Sequence, residues 1–265
     1  MGLIDNFNEK VSKIKDKGIN AKAEFDVLYN TGFLAIDYLN GTTVYVESDD
    51  RNFQYNAIGV VDGSTNSIIG RSGSGKSTLM TQIAGNIARP FIEREENTAI
   101  FIDDIEGSLP YARKEFLLGM DAETIDKYVV VRNNGITTQN LYKRIKAIAD
   151  EKIQNRSKYE YDTGLYDTKG NRIYKLIPTI YIIDSLPMLL PDDLANDEDL
   201  GGSMDASSIA KMNTMLFKKI SQDCKSANII LFTVNHILDE IQMGFIPKAA
   251  QISGLKQGER LPGVA

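Results

Sequence analysis

The chain has 265 residues, 42% hydrophobic and 25% charged, enough apolar material for one α/β domain of ordinary size with a sizeable core. A formal net charge of −6 argues against nucleic-acid binding over a wholly basic surface, though a few Lys or Arg in a groove or loop suffice for phosphate contacts. The single cysteine, Cys224, rules out an internal disulfide and fits a reducing cytoplasm, and no apolar run approaches the roughly 20 residues that span a bilayer.

The first residues, MGLIDNFNEKVSKIKDKG, lack the apolar stretch of a secretory signal, and Asn6 breaks the myristoylation pattern that Gly2 would open. Ile4, Phe7, Val11 and Ile14 fall at helical spacing, so the pattern predicts a basic amphipathic helix over 4–22, either packed on its own domain or docked on a neighbour. TGFLAIDYLNG reads as a short helix, and residues 42–63 as strand, polar loop and strand. A regular alternation follows. STNSIIG is a strand, and a helix is predicted over 76–88. TAIFIDDIE is a strand, with a helix over 109–119. YVVVRN is a strand, with a helix over 138–154. IPTIYIIDSL is a strand, with a helix over 206–226 that carries Cys224 as an inert core thiol, and NIILFTVN is the last strand. Apolar strands alternating with helices predict a mostly parallel sheet covered by helices on both faces. Residues 157–176 read as an inserted hairpin turning at DTKGN, and 191–205 as an acidic loop without a core pattern.

Residues Gly70-Arg71-Ser72-Gly73-Ser74-Gly75-Lys76-Ser77 fit G-x-x-x-x-G-K-[ST] in full, between a predicted strand and a predicted helix. Glycines let successive N–H groups wrap a phosphate, and the new helix adds its positive end. Lys76 can reach the β- and γ-phosphates, and Ser77 can ligate Mg²⁺. Asp184 ends another apolar strand, where it can hold the Mg²⁺ water shell. A third strand delivers Asp103, Asp104 and Glu106, and a carboxylate there can orient an attacking water; the chemistry does not choose between Asp104 and Glu106. Asn235 and His236, the only histidine, end the last strand, and ligands of such sheets gather at the carboxyl ends. Four strand ends are therefore expected to converge, with the polar pair able to hydrogen-bond a γ-phosphate or its water.

With these motifs in hand, the sequence resembles the RecA family of recombinases, in particular its bacteriophage UvsX-like members, over roughly residues 30–265. NTGFLAIDYLNG is similar to the segment leading to the phosphate loop. FIDDIEGSLPYARKEFLLGMD is similar to the segment with an Asp-x-Glu strand end, TIYIIDS to the Walker B strand, and NIILFTVNHI to the strand ending in Asn-Gln or Asn-His. The resemblance implies a RecA-type P-loop NTPase core over 25–265, with 1–24 as an oligomerisation arm. It implies ATP and Mg²⁺ as cofactors, with the nucleotide held by residues 70–78 (Gly70 through Ser77, and Thr78) and by Tyr111 stacked on adenine. Glu106 becomes the catalytic glutamate alongside Lys76, Ser77 and Asp184 the metal residues, and Asn235 and His236 the γ-phosphate sensor. It also implies a first DNA-binding loop at 191–206 and the start of a second over 237–265, with Phe245, Lys248, Lys256 and Arg260 as contacts.

The expected activity is a DNA-dependent ATPase. It would form a homo-oligomeric filament on single-stranded DNA and exchange strands with duplex DNA, in the cytoplasm of a bacterial cell, with phage origin in view. The alternatives are a hexameric replicative helicase of the same core and a non-motor accessory or loader. Three departures stand out, one being the hairpin near 157–176, which is extra to the family pattern. The first loop is acidic through Asp192, Asp193, Asp197, Glu198 and Asp199, which opposes phosphate contact. The strands expected after the second loop, with their ATP-contacting lysines, do not follow in this sequence, so a fragment, a split product or completion by a partner is expected.

Overall fold

The computed structural model describes residues 27–48, 51–107, 109, 111–166, 171–195, 206–239 and 259–260. The expected arm at 1–24, the tip of the inserted hairpin, most of the acidic loop, and Phe245, Lys248 and Lys256 lie outside these residues.

In chain order the elements begin with β1 (Leu28–Tyr29), α1 (Leu34–Leu39), β2 (Thr42–Ser48), β3 (Arg51–Ala57), β4 (Val60–Val61), β5 (Thr65–Gly70) and α2 (Lys76–Ile92). Next come β6 (Ala99–Asp104), a 3₁₀ turn (Tyr111–Arg113), α3 (Lys114–Leu118), α4 (Ala122–Tyr128), β7 (Val129–Arg132), α5 (Thr138–Gln154) and α6 (Arg156–Tyr159). The series ends with β8 (Glu160–Tyr166), β9 (Arg172–Leu176), β10 (Thr179–Asp184), a 3₁₀ turn (Leu186–Met188), α7 (Asp192–Ala195), α8 (Ala206–Ala227), β11 (Ile229–His236), β12 (Leu238–Asp239) and β13 (Glu259–Arg260).

The main sheet has five strands in the order β5-β11-β10-β6-β7, and every pairing is parallel. The apolar runs follow from burial on both faces. Ile180, Ile182, Ile230, Phe232 and Val234 pack with Met80, Ile83 and Ile87 of α2 on one side. The alternate residues Tyr181, Ile183, Ile229 and Leu231 pack with Leu141 and Ile145 of α5 and with Leu216, Ile220 and Cys224 of α8 on the other. Each such side chain, fully buried, contributes roughly 1.5–3 kcal/mol relative to exposure. Gly85 lets α2 approach α3 closely, since a Cβ there would lie 2.4 Å from the Leu118 carbonyl oxygen.

Three expectations need correction, and one helix is additional. The helix expected to end at 88 runs to Ile92 through Pro90. Proline removes one helical hydrogen bond, but the buried Phe91 keeps the last turn packed. The helix expected over 109–119 is instead a 3₁₀ turn followed by the five-residue α3, stopped by Gly119 in the left-handed region at φ 65°. A further helix, α4, follows, capped by the Asp121 carboxylate accepting from Thr124 N at 2.8 Å. The acidic loop begins as the one-turn helix α7. The inserted hairpin is present as β8–β9, antiparallel, with Tyr161 packed edge-on to Phe91 of the core. No described helix is long and apolar enough to cross a membrane.

Candidate functional site

Because the five strands are parallel, their carboxyl ends form one rim, and register sets its order. Gly70 on β5 is opposite His236 on β11, and Asp184 on β10 is opposite Asp104 on β6. β11 thus lies between the strand that feeds the glycine-rich loop and the strand that ends in Asp184.

The loop from Arg71 to Gly75 is exposed and delivers Lys76 as the first residue of α2. Gly73 and Gly75 have φ of 75° and 84°, where a side chain is strained, and a Cβ at either would meet nothing within 4 Å. The loop therefore presents bare backbone to open space at the N-terminus of a 17-residue helix, the arrangement that favours an anion. Thr78 follows on the first turn, partly buried.

Lys76 turns back into the rim and is buried. Its ammonium donates to the Arg71 carbonyl at 2.8 Å and lies 3.3 Å from His236 Nδ1. His236 Nε2 lies 2.7 Å from Glu106 Oε1. An ammonium has only donors, so Nδ1 accepts from Lys76 and Nε2 carries the proton that goes to Glu106. Ser185 also donates to Glu106 Oε1. Burial alone would raise the Glu106 carboxyl, but the hydrogen bonds from Ser185 and His236 and the charge of Lys76 outweigh it, leaving the carboxyl below its ordinary range. The Glu106 turn hangs from the acidic strand, since Ile105 N and Glu106 N both donate to the Asp184 carbonyl, at 2.6 and 3.3 Å.

Asp184 is buried, and burial is the largest influence on its carboxyl. The Ser77 hydroxyl draws the carboxyl down and Glu106 and Asp104 push it up, with a net rise. Its Oδ1 is buried with no hydrogen-bond partner among the described residues. No group of three or more His, Cys, Asp or Glu among the described residues could hold a metal by itself. Mg²⁺ on a nucleotide needs only one or two protein oxygens beside phosphates and waters, so Ser77 and the orphaned Asp184 oxygen fit that ion.

Asn235 is buried and its side-chain oxygen Oδ1 accepts from His236 N at 2.8 Å, which helps fix the strand end. Of the two carboxylates left open by the sequence, Glu106 faces His236, while Asp104 is buried and accepts from Leu109 N at 3.0 Å. Asp103 belongs to a separate cluster with Tyr181, Arg132 and Arg144. Tyr111 begins the 3₁₀ turn five residues beyond Glu106. Arg260 pairs across a short antiparallel ladder with Leu238, two residues after His236. Ser185 was missed by the sequence reading, although its signal, a hydroxyl directly after the strand-ending Asp184, stands in TIYIIDS.

No protein-family model matches the chain, and no curated protein matches it.

Proposed function

We propose that the chain is an ATP-dependent DNA recombinase, which binds single-stranded DNA as a filament and promotes pairing and strand exchange with duplex DNA. The single observation that carries the nucleotide half of this reading is the contact run Lys76–His236–Glu106 at the mouth of the glycine-rich loop. The DNA half rests on the resemblance of the motifs and on the short ladder that pairs Arg260 with Leu238, two residues beyond His236.

In this reading the backbone N–H groups of residues 72–77 take phosphate oxygens, and Lys76 exchanges the Arg71 carbonyl and His236 for them. Ser77 and Asp184 hold Mg²⁺, which when bound neutralises charge on the phosphates. Glu106, kept ionised by its donors, orients the attacking water; its lowered affinity for protons suits it to polarising that water more than to removing a proton. His236, released from Lys76, is free to contact the γ-phosphate and to move with its loss.

The test is the steady-state ATP hydrolysis rate with and without single-stranded DNA, at low and moderate salt. Stimulation that fades with salt is expected, because phosphate contacts release counterions. ATP binding without any DNA effect on turnover would remove the recombinase reading and leave an accessory ATPase. Hexameric rings in place of filaments on the DNA would replace it with a helicase.

A further inference from the structure

Asp103 sits on β6 three residues before Glu106, and its carboxylate is fully buried. Three neighbouring elements meet on it. Tyr181 of β10 donates its hydroxyl to Oδ2 at 2.6 Å, Arg144 of α5 reaches Oδ2 at 3.3 Å, and Arg132 of β7 lies 3.5 Å from Oδ1. Burial, then the Asp103 charge, push the Tyr181 hydroxyl far above its ordinary range, so it stays a donor. Arg132 also stacks its guanidinium over Phe101, 5.3 Å from the ring centroid.

Packing alone does not call for a charge here. A buried ionic cluster is often no more stable than apolar residues of the same volume, whereas removing one partner is costly. What the cluster supplies is a connection. Arg144 donates a second time, from Nη2 to the Gly135 carbonyl at 3.2 Å, in the turn between β7 and α5. Two residues on, Thr137 donates its hydroxyl to Asp192, the first residue of α7. Thr138 N donates to the Leu190 carbonyl at 3.0 Å, and Asp192 N donates to the Gln139 side-chain carbonyl at 2.9 Å. Direct contacts therefore run from β6, the strand that leads into the Glu106 turn, through Asp103, Arg144 and the Gly135–Gln139 turn, to the base of the acidic segment. Glu106 itself is held by Ser185 and by His236, and His236 loses its Lys76 partner when a phosphate draws that ammonium away.

We infer that Asp103 and Arg144 are positioning residues that couple the Glu106 turn to the base of the acidic segment at Pro191–Ala195, so that occupancy of the phosphate loop is felt there. This inference rests on the reading of the rim as a nucleotide site. The Glu106 turn is pinned by the Asp184 carbonyl, and the strand that leads into it is anchored three residues earlier where the Asp103 carboxylate meets Tyr181 and Arg144, so the two ends of this short stretch are both fixed and a displacement of Glu106 bears on Asp103.

Hydrogen exchange of the full chain, read by mass spectrometry with and without a non-hydrolysable ATP analogue and Mg²⁺, tests it in the wild type, Asp103→Asn and Arg144→Gln. In the wild type the analogue slows exchange in residues 70–80 and changes it by about fivefold or more in 188–195, the lower end of ordinary coupling. In the variants protection at 70–80 persists and the response at 188–195 is lost. Asp103→Asn leaves a buried amide and can fail to fold; Arg144→Gln, at a side chain one-quarter exposed, then carries the test. Absence of protection at 70–80 in the wild type would overturn the nucleotide reading and the coupling with it. Protection at 70–80 without a response at 188–195 in the wild type, or a response that survives in a folded variant, would overturn the coupling alone.

Discussion

Lys152 makes the sharpest quantitative prediction. It lies on α5, 2% exposed, with its amine donating to the Ile177 carbonyl at 2.6 Å, to the Thr179 hydroxyl at 3.0 Å and to the Asn228 carbonyl at 3.4 Å. None of these partners is a carboxylate, and burial lowers its pKa from 10.5 to about 7. The sign follows from proton counts. Above pH 7 the folded chain has released a proton that the unfolded chain still binds, so stability rises with pH until the unfolded lysine also titrates. At about 1.4 kcal/mol per pKa unit, and with half of the folded molecules already neutral at pH 7, the gain from pH 7 to 9 is about 2 kcal/mol. Urea unfolding of the wild type and Lys152→Met at pH 7, 8 and 9 measures it. The methionine keeps the aliphatic stem and removes the titration, so the difference between the two pH slopes isolates this residue from Cys224 and the tyrosines. Superimposable slopes would show that the lysine keeps its proton in the fold and would refute the reasoning.

Three further outcomes are expected. Glu106→Gln should lower ATP turnover by about 10²- to 10⁴-fold while nucleotide affinity, followed by fluorescence titration, holds; unchanged turnover would remove Glu106 from the chemistry. Asp184→Asn should abolish the Mg²⁺ dependence of nucleotide binding yet raise the unfolding midpoint above pH 5, because burial penalises the native carboxylate and the amide removes that penalty; a fall in the midpoint would contradict this. Cys224 is fully buried and its thiol is pushed up to about 12 by burial, so its alkylation rate should track unfolding, and rapid labelling under native conditions would be inconsistent with its place on the buried face of α8.

The central strands could be read from the sequence because they are buried on both faces. Runs such as Ile180–Ile183 and Ile229–Val234 then need no partner to announce them. The phosphate loop was equally local, with its glycines, lysine and serine contiguous. Asp103 was different: its partners Tyr181, Arg132 and Arg144 come from three other elements, and a carboxylate beside Asp104 reads as one more polar residue at a strand end. Lys152 carried a signal that charge obscured. It continues the stripe Leu141, Ile145 and Ala149 at helical spacing, so its position pointed inward while its residue type pointed outward. Helix α4 was hidden because Asp121 reads equally as a turn and as a cap, and only the Thr124 N–H bound to its carboxylate decides between them.

The pairing of β12 with β13 has a mechanical consequence. One short antiparallel ladder holds Glu259 and Arg260 beside Asp239 and Leu238, at the exit of β11 from the rim. That ladder begins two residues beyond His236. A force applied at Glu259–Arg260 would load this ladder first and β11 next, which makes the junction at Leu238 and Arg260 a fulcrum between whatever grips Arg260 and the histidine facing the phosphate loop.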